Sequence, residues 1–175
     1  MLLAIRASLL LLQTDSDWAG DERTRKSTSG GTLKLGSHTI QHWCKAQSNI
    51  ALSSGEAELN SSVKGLSAVL GGYELMHELG FNQKIVLETD ASACKGMLLK
   101  SGSGRVKHLT TKQLWVQGAI EKYGIEVKKI PRSTNHADLL THHFSGQIAE
   151  DHLSGLGFIR RTAATPMENA AERGC

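Results

Sequence analysis

Ser53-Ser54-Gly55-Glu56-Ala57-Glu58-Leu59-Asn60-Ser61-Ser62-Val63-Lys64-Gly65-Leu66 opens the longest periodic segment of the chain. Ser53 is suited to cap a helix, and Glu56, three residues later, completes a capping box. Leu59, Val63, Leu66, Leu70 and Tyr73 recur at alternating steps of four and three and so share one helical face. Beside them runs a row of mostly small residues: Glu58, Ser62, Gly65, Val69, Gly72 and Met76. Such a row permits close approach to a sheet. Gly80 stands where a helix stop is expected. The pattern predicts a core helix over residues 54–79.

Upstream of this helix, residues 9–15 are apolar and end in an acid, which predicts a buried strand. Residues 16–30 are polar and carry Gly and Ser, and read as a loop. Residues 31–35 and 39–45 are strand candidates around the hairpin signal Gly36-Ser37-His38. Downstream, residues 84–89 contain Ile85-Val86-Leu87 and lead into Asp90. A short helix is expected over 91–100 and a turn over 101–104. An amphipathic helix over 110–123 carries Leu114, Val116, Ala119 and Ile120. A strand over 125–130 and helices beginning at 135 and 147 complete the pattern. The order β-β-β-α-β-α-α-β-α predicts an α/β fold with a five-stranded mixed sheet. Three antiparallel strands come first, then parallel strands joined by right-handed crossovers, with helices on both faces.

A chain of 175 residues can bury one substantial core. Residues 8–145 are expected to form the domain, and 146–175 a C-terminal helix and a disordered tail. Three Cys without C-x-x-C spacing suggest neither a disulfide framework nor a zinc ribbon, and point to a reducing, intracellular setting. The opening MLLAIRASLLLL is interrupted by Arg6, lacks a small-x-small cleavage pattern and is too short to span a bilayer. A signal peptide is the alternative to reading its end as strand. The net charge of +3 is mild, but the bases are grouped: Arg23, Arg25 and Lys26; Arg105, Lys107, His108 and Lys112; Lys122, Lys128, Lys129 and Arg132. Such groups can follow a phosphate backbone, but for any one group alone solvated surface charge is the better reading.

Asp15 and Asp90 close two predicted core strands, at the end of the sheet where open α/β folds place their chemistry. Glu58 lies near the start of the core helix on its sheet-facing row. Asp138 lies in the first turn of a later helix. Four carboxylates from separate elements can therefore meet at one edge of the sheet. Packed together, they repel one another unless a cation compensates. An all-oxygen set favours a hard ion, Mg²⁺ or Mn²⁺. Two such ions ~3.5–4 Å apart are a known device for in-line displacement at a phosphodiester. Acids at strand ends and in helix first turns also occur as turn formers and dipole partners.

Thr14-Asp15-Ser16-Asp17-Trp18-Ala19-Gly20, followed by Arg25-Lys26-Ser27-Thr28-Ser29-Gly30, resembles the start of the ribonuclease H domain of copia-type retrotransposon Pol polyproteins. The resemblance continues through Ala51-Leu52-Ser53-Ser54-Gly55-Glu56-Ala57-Glu58, Thr89-Asp90, Lys107-His108-Leu109 and Ala137-Asp138-Leu139-Leu140-Thr141, in the family's order. It implies a ribonuclease H-like fold and two-metal cleavage of the RNA strand of an RNA–DNA hybrid, leaving a 5′-phosphate and a 3′-hydroxyl. It implies Asp15, Glu58, Asp90 and Asp138 as catalytic metal ligands, with Asp15 as the bridge and Asp17 as a turn former. Glu56 is left to the capping box.

Arg25, Lys26, Arg105, Lys107 and His108 are the candidate nucleic-acid contacts. His136, two residues before Asp138, is a candidate proton shuttle. Trp18 and Trp43 are candidates for base stacking, whereas Trp115 is expected in the core. The family's usual T-K-P-L after the fourth acid is replaced by Thr141-His142-His143-Phe144, and no role is assigned to either histidine. The expected partners are an RNA–DNA hybrid and a reverse transcriptase domain absent from this chain, with no membrane and a monomeric state. The competing readings are a non-catalytic nucleic-acid-binding module and a decayed transposon fragment.

Overall fold

Strand β1 (Leu9–Asp17) is the middle of the sheet. It pairs antiparallel with β2 (Thr28–Leu35), which pairs antiparallel with β3 (His38–Ala46). On its other side β1 pairs parallel with β4 (Lys84–Thr89), and β4 with β5 (Glu126–Lys129). The order is β3-β2-β1-β4-β5, the mixed five-stranded sheet expected from the sequence. The chain is described by a computed structural model over residues 9–100 and 110–158. Arg105, Lys107 and His108 lie outside the described residues.

Alternation along β1 sorts its side chains between two faces. Leu10 and Leu12 lie beside Ile85 and Leu87 of β4, and all four are buried. This face is covered by helix α1 (Ser54–Glu78), with α2 (Ser92–Leu99) and α3 (Thr110–Tyr123) packed alongside. Leu33, Leu59, Leu66, Val69, Leu98 and Val116 complete the core. The other face, bearing Gln13 and Asp15, is covered by a 3-10 turn, His136–Leu140, against which α4 (Gly146–Gly155) packs. The expected helix from 135 is thus a single turn. The preceding residues Arg132–Thr134 form another 3-10 turn, so no longer helix is laid down there.

Position 30 explains a second difference. Residues 16–30 read as loop, yet β1 runs to Asp17 and β2 begins at Thr28. Gly and Ser have low strand propensity, but close packing overrides it. A Cβ at Gly30 would stand 2.7 Å from Thr141 Cγ2 and 2.9 Å from the Ala137 carbonyl oxygen. The small residue lets the 3-10 turn lie directly on the sheet.

Helix α1 begins as read. The Glu56 amide donates to Ser53 Oγ at 3.2 Å. The returning Glu56 carboxylate accepts from the Leu52 amide at 2.8 Å, one residue earlier than in an ordinary capping box. The buried stripe is centred on the small row rather than the leucine row. Glu58, Ser62, Gly65 and Val69 are buried together with Leu59 and Leu66, while Val63, Leu70 and Tyr73 are only partly covered. A Cβ at Gly65 would meet Thr14 Cγ2 at 2.7 Å and Leu12 Cδ1 at 3.0 Å, so the helix backbone lies almost on β1. In α3 the buried line is Gln113, Val116 and Ala119. Leu114 and Trp115 stand off that line and are half-exposed, which corrects the expectation that Trp115 is in the core.

The close approach at Gly65 makes a test of the packing. Gly65→Ala is expected to destabilise the protein by about 1–3 kcal/mol through overpacking. Gly71→Ala, where a Cβ meets nothing within 4 Å, is expected to stabilise it by up to about 1 kcal/mol through helix propensity. Urea unfolding of the two variants measures both. Equal effects would mean that the helix does not rest on β1 at this point.

Candidate active site

Four elements bring the acids together. Asp15 lies near the end of β1, buried on the face away from α1. Glu58 sits in the second turn of α1, Asp90 follows β4, and Asp138 lies in the 3-10 turn. Asp15, Glu58 and Asp90 each offer an oxygen within 4.8 Å of the others. Asp15, Asp138 and the ring nitrogen of His142 form a second such set. Asp15 belongs to both.

The two sets are neutralised very differently. Glu58 Oε1 accepts from the Ser16 amide at 3.1 Å and from the Ser16 hydroxyl at 3.0 Å, whereas its Oε2 is buried with no hydrogen-bond partner among the described residues. Burial, followed by the Asp15 and Asp90 charges, pushes Glu58 up to about 8, against the pull of the Ser16 bonds. Asp15 is raised by burial first. Thr141 opposes this by donating its hydroxyl to Oδ2, while Asp138 and Asp90 add to it. Asp90, half-buried, is raised by burial and Asp138, with Arg132 and Asn135 opposing. Asp138 is fully buried but well supplied with donors. Arg132 Nε donates to its Oδ2 at 2.7 Å, Arg132 Nη2 to its Oδ1 at 2.9 Å, and His142 Nδ1 lies 2.7 Å from Oδ1.

The frame around the acids is made of small hydroxyl and amide side chains. Ser61 shares its hydroxyl between the carbonyls of Asp15 and Gly30, at 2.7 and 3.0 Å. Thr14 and Ser62 are hydrogen-bonded at 3.1 Å. Buried Asn135 donates to the Thr14 carbonyl at 3.1 Å and caps the 3-10 turn through the Ala137 amide. These bonds tie β1, β2, α1 and the turn to one another beneath the carboxylates.

His136 faces elsewhere. Its Nδ1 lies 3.3 Å from Nδ1 of buried His152 on α4, and burial, His152 and Lys34 hold it below its ordinary value. Its ring bonds to none of the four acids. The histidine that does touch them is His142, which the sequence reading left without a role. The signal was the i, i+4 spacing from Asp138. The Asp138–Arg132 pair was missed for a similar reason, because Arg132 was grouped only with neighbouring bases.

A cavity of about 480 Å³ is lined by Lys26, Lys45, Lys64 and Lys112 with Ser29, Gln47 and Asn60. Gln47 donates to Ser29 Oγ at 3.0 Å and to the Ala57 carbonyl at 2.9 Å, which ties the cavity wall to β2 and to the start of α1. Burial, with Lys45 adding, lowers Lys64. Arg25 is exposed, on a turn where its own φ is 56°. Trp18 is half-exposed, with Nε1 donating to the Ala51 carbonyl at 3.0 Å. Asp17 fills the space that a Cβ at Gly20 would take, in keeping with a turn-forming role.

A sheet of this order with acids at its carboxyl edge defines the ribonuclease H-like class of folds. Solved structures agree. LC11-RNase H1, isolated from compost, superposes with a TM-score of 0.60 at 15% identity, covering 76% of this chain and 92% of that one. The N-terminal RNase H domain of rv2228c from Mycobacterium tuberculosis gives 0.59 at 14% identity, covering 84% and 97%.

In sequence the chain is 30% identical over 130 residues, 73% of its length, to the retrovirus-related Pol polyprotein from transposon TNT 1-94 of Nicotiana tabacum. It is 27% identical over 153 residues, 84% of its length, to that from transposon RE1 of Arabidopsis thaliana. The chain spans about 10% of the length of these polyproteins. No family model matches it. The chain has the ribonuclease H-like fold and is similar in sequence to one segment of retrotransposon Pol polyproteins. Among the described residues no helix is long and apolar enough to cross a membrane.

The raised Glu58 gives a pH test. In chelator the folded protein keeps this proton up to about 8, while the unfolded chain releases it near 4.5. Between those values the folded state binds more protons than the unfolded one, so stability falls as pH rises. Denaturation midpoints of the metal-free wild type are expected to decline across this window, and those of Glu58→Gln to decline less. Parallel pH profiles would mean that Glu58 is not the group held protonated.

Proposed function

We propose that this chain hydrolyses the RNA strand of RNA–DNA hybrids, with Asp15, Glu58, Asp90 and Asp138 holding two divalent ions. The observation that carries this reading is that Asp15 belongs to two ligand sets at once. The residues suit a hard cation. Glu58 Oε2 is a buried oxygen with no donor among the described residues, and burial raises Asp15, Glu58 and Asp90, with neighbouring carboxylates adding to it: Asp138 and Asp90 at Asp15, Asp15 and Asp90 at Glu58, and Asp138 at Asp90. A divalent ion removes both problems. When bound, the ions would supply an activated water and stabilise the leaving oxygen at phosphorus. The protein's own part is positional. Ser16 fixes Glu58, Thr141 fixes Asp15, and Asn135 fixes the turn that carries Asp138.

The lysine-lined cavity supports a polyanionic substrate. Lys45 lies close enough to Lys64 to add to its lowering, and a phosphate backbone would relieve that repulsion. LC11-RNase H1, of the same fold, has been solved in complex with an RNA/DNA hybrid. Arg132 on Asp138 favours the second reading, a binding module without catalysis, because it already supplies that acid with a cation.

Cleavage of a labelled hybrid by the purified chain in millimolar Mg²⁺ separates the readings. Wild type and Glu56→Gln are expected to cut. Asp15→Asn and Glu58→Gln are expected to lose more than about 100-fold, exceeding the usual effect of a change one shell further out. Mg²⁺ is expected to raise the melting temperature of wild type and not of Asp15→Asn. Hybrid binding without cleavage would support the binding module, and neither would support a decayed fragment.

The cavity has its own test. Lys45→Gln and Lys64→Gln are each expected to weaken hybrid binding and to lower the slope of log affinity against log salt by about one. An unchanged slope would remove the cavity from the substrate path.

A further inference from the structure

We propose that His142 is a metal ligand through Nδ1, and that the half of the site made by Asp15, Asp138 and His142 prefers Mn²⁺ to Mg²⁺. The other half, Asp15 with Glu58 and Asp90, is all oxygen and accepts Mg²⁺. The proposal rests on the two-ion reading above.

The geometry is built for this donor. His142 Nδ1 lies 2.7 Å from Asp138 Oδ1 and 3.5 Å from Asp15 Oδ2, the two oxygens that an ion in this half would use. The ring is not loosely placed. The His142 amide donates to the Asp138 carbonyl at 3.0 Å, and Thr141 Oγ1 lies 3.0 Å from Nδ1. Thr141 also donates to Asp15, so this one side chain lies against both residues.

The charges of the two halves differ as well. Three carboxylates face one another around Glu58. In the other half, Arg132 holds both oxygens of Asp138 and so takes part of its charge. Mg²⁺ binds through charge and oxygen and gains little there. A transition ion also gains from an imidazole nitrogen, whose donation does not depend on net charge.

The test is Mn²⁺ binding at fixed neutral pH, followed by electron paramagnetic resonance. Spin-echo modulation of bound Mn²⁺ is expected to show a coupled imidazole nitrogen in the wild type, and to change when histidine is labelled with ¹⁵N. His142→Gln and His142→Lys are both expected to lose the modulation and at least about 10-fold in affinity for the weaker Mn²⁺. Their Mg²⁺-dependent rise in melting temperature is expected to stay as in the wild type. Two bound Mn²⁺ ions that disappear in Asp15→Asn but show no nitrogen coupling would overturn the ligand assignment and leave the two-ion reading standing. Mn²⁺ bound equally by wild type and Asp15→Asn would overturn both.

Discussion

Carboxylates held together out of water repel one another, and the apparatus around Asp15 exists against that repulsion. Asp15, Glu58 and Asp90 lie within a few ångströms of one another, with Asp138 behind. The compensation is uneven. Asp138 has a guanidinium and an imidazole, Asp15 has a hydroxyl and the same imidazole, and among the described residues Glu58 has Ser16 alone. Burial first, and then the Asp15 and Asp90 charges, push Glu58 up to about 8. A fold free to relax would separate these groups. This one is prevented by bonds to backbone carbonyls, made by Ser61 and Asn135, that fix the elements from which the acids project.

The close assembly depends on small side chains. Gly65 lets α1 lie on β1, which brings Glu58 within reach of Ser16. Gly30 lets the 3-10 turn lie on the opposite face, which brings Thr141 and Asp138 to Asp15. The parallel pairing of β1 with β4 sets Asp15 and Asp90 at neighbouring carboxyl ends. The site is thus a product of thin layers above and below one strand.

Much of this was legible in the sequence because it follows from periodicity. The period of α1, the capping Ser53 and the apolar strands around Leu10, Leu12, Ile85 and Leu87 indicate the layers and the mixed sheet. The acids at strand ends and at a helix start follow from the same register. What was not legible depended on contacts between distant segments. The strand character of Thr28 to Gly30 comes from the turn pressed on it, against local propensity. The exposure of Trp115 comes from which line of α3 meets its neighbours. Arg132 and His142 flank Asp138 by six and four residues, but only the tight 3-10 turns fold both back onto it. The lysine cavity joins β2, β3, α1 and α3, and no local pattern marks it.

Helix α4 packs on the turn that carries Asp138, with His152 buried against His136 and Phe144. It is also fastened to the sheet: Lys34 Nζ donates to the Gly155 carbonyl and Thr39 Oγ1 to that of Leu156, each at 2.7 Å. His136 and Asp138 are two residues apart on that short turn. The sheet, the last helix and the fourth acid therefore form one mechanical chain, with α4 as a strut. A boundary drawn near residue 145 cuts between the turn and its strut. The segment after residue 145 is thus joined to the turn of Asp138 directly, whereas the other three acids project from β1, α1 and the end of β4.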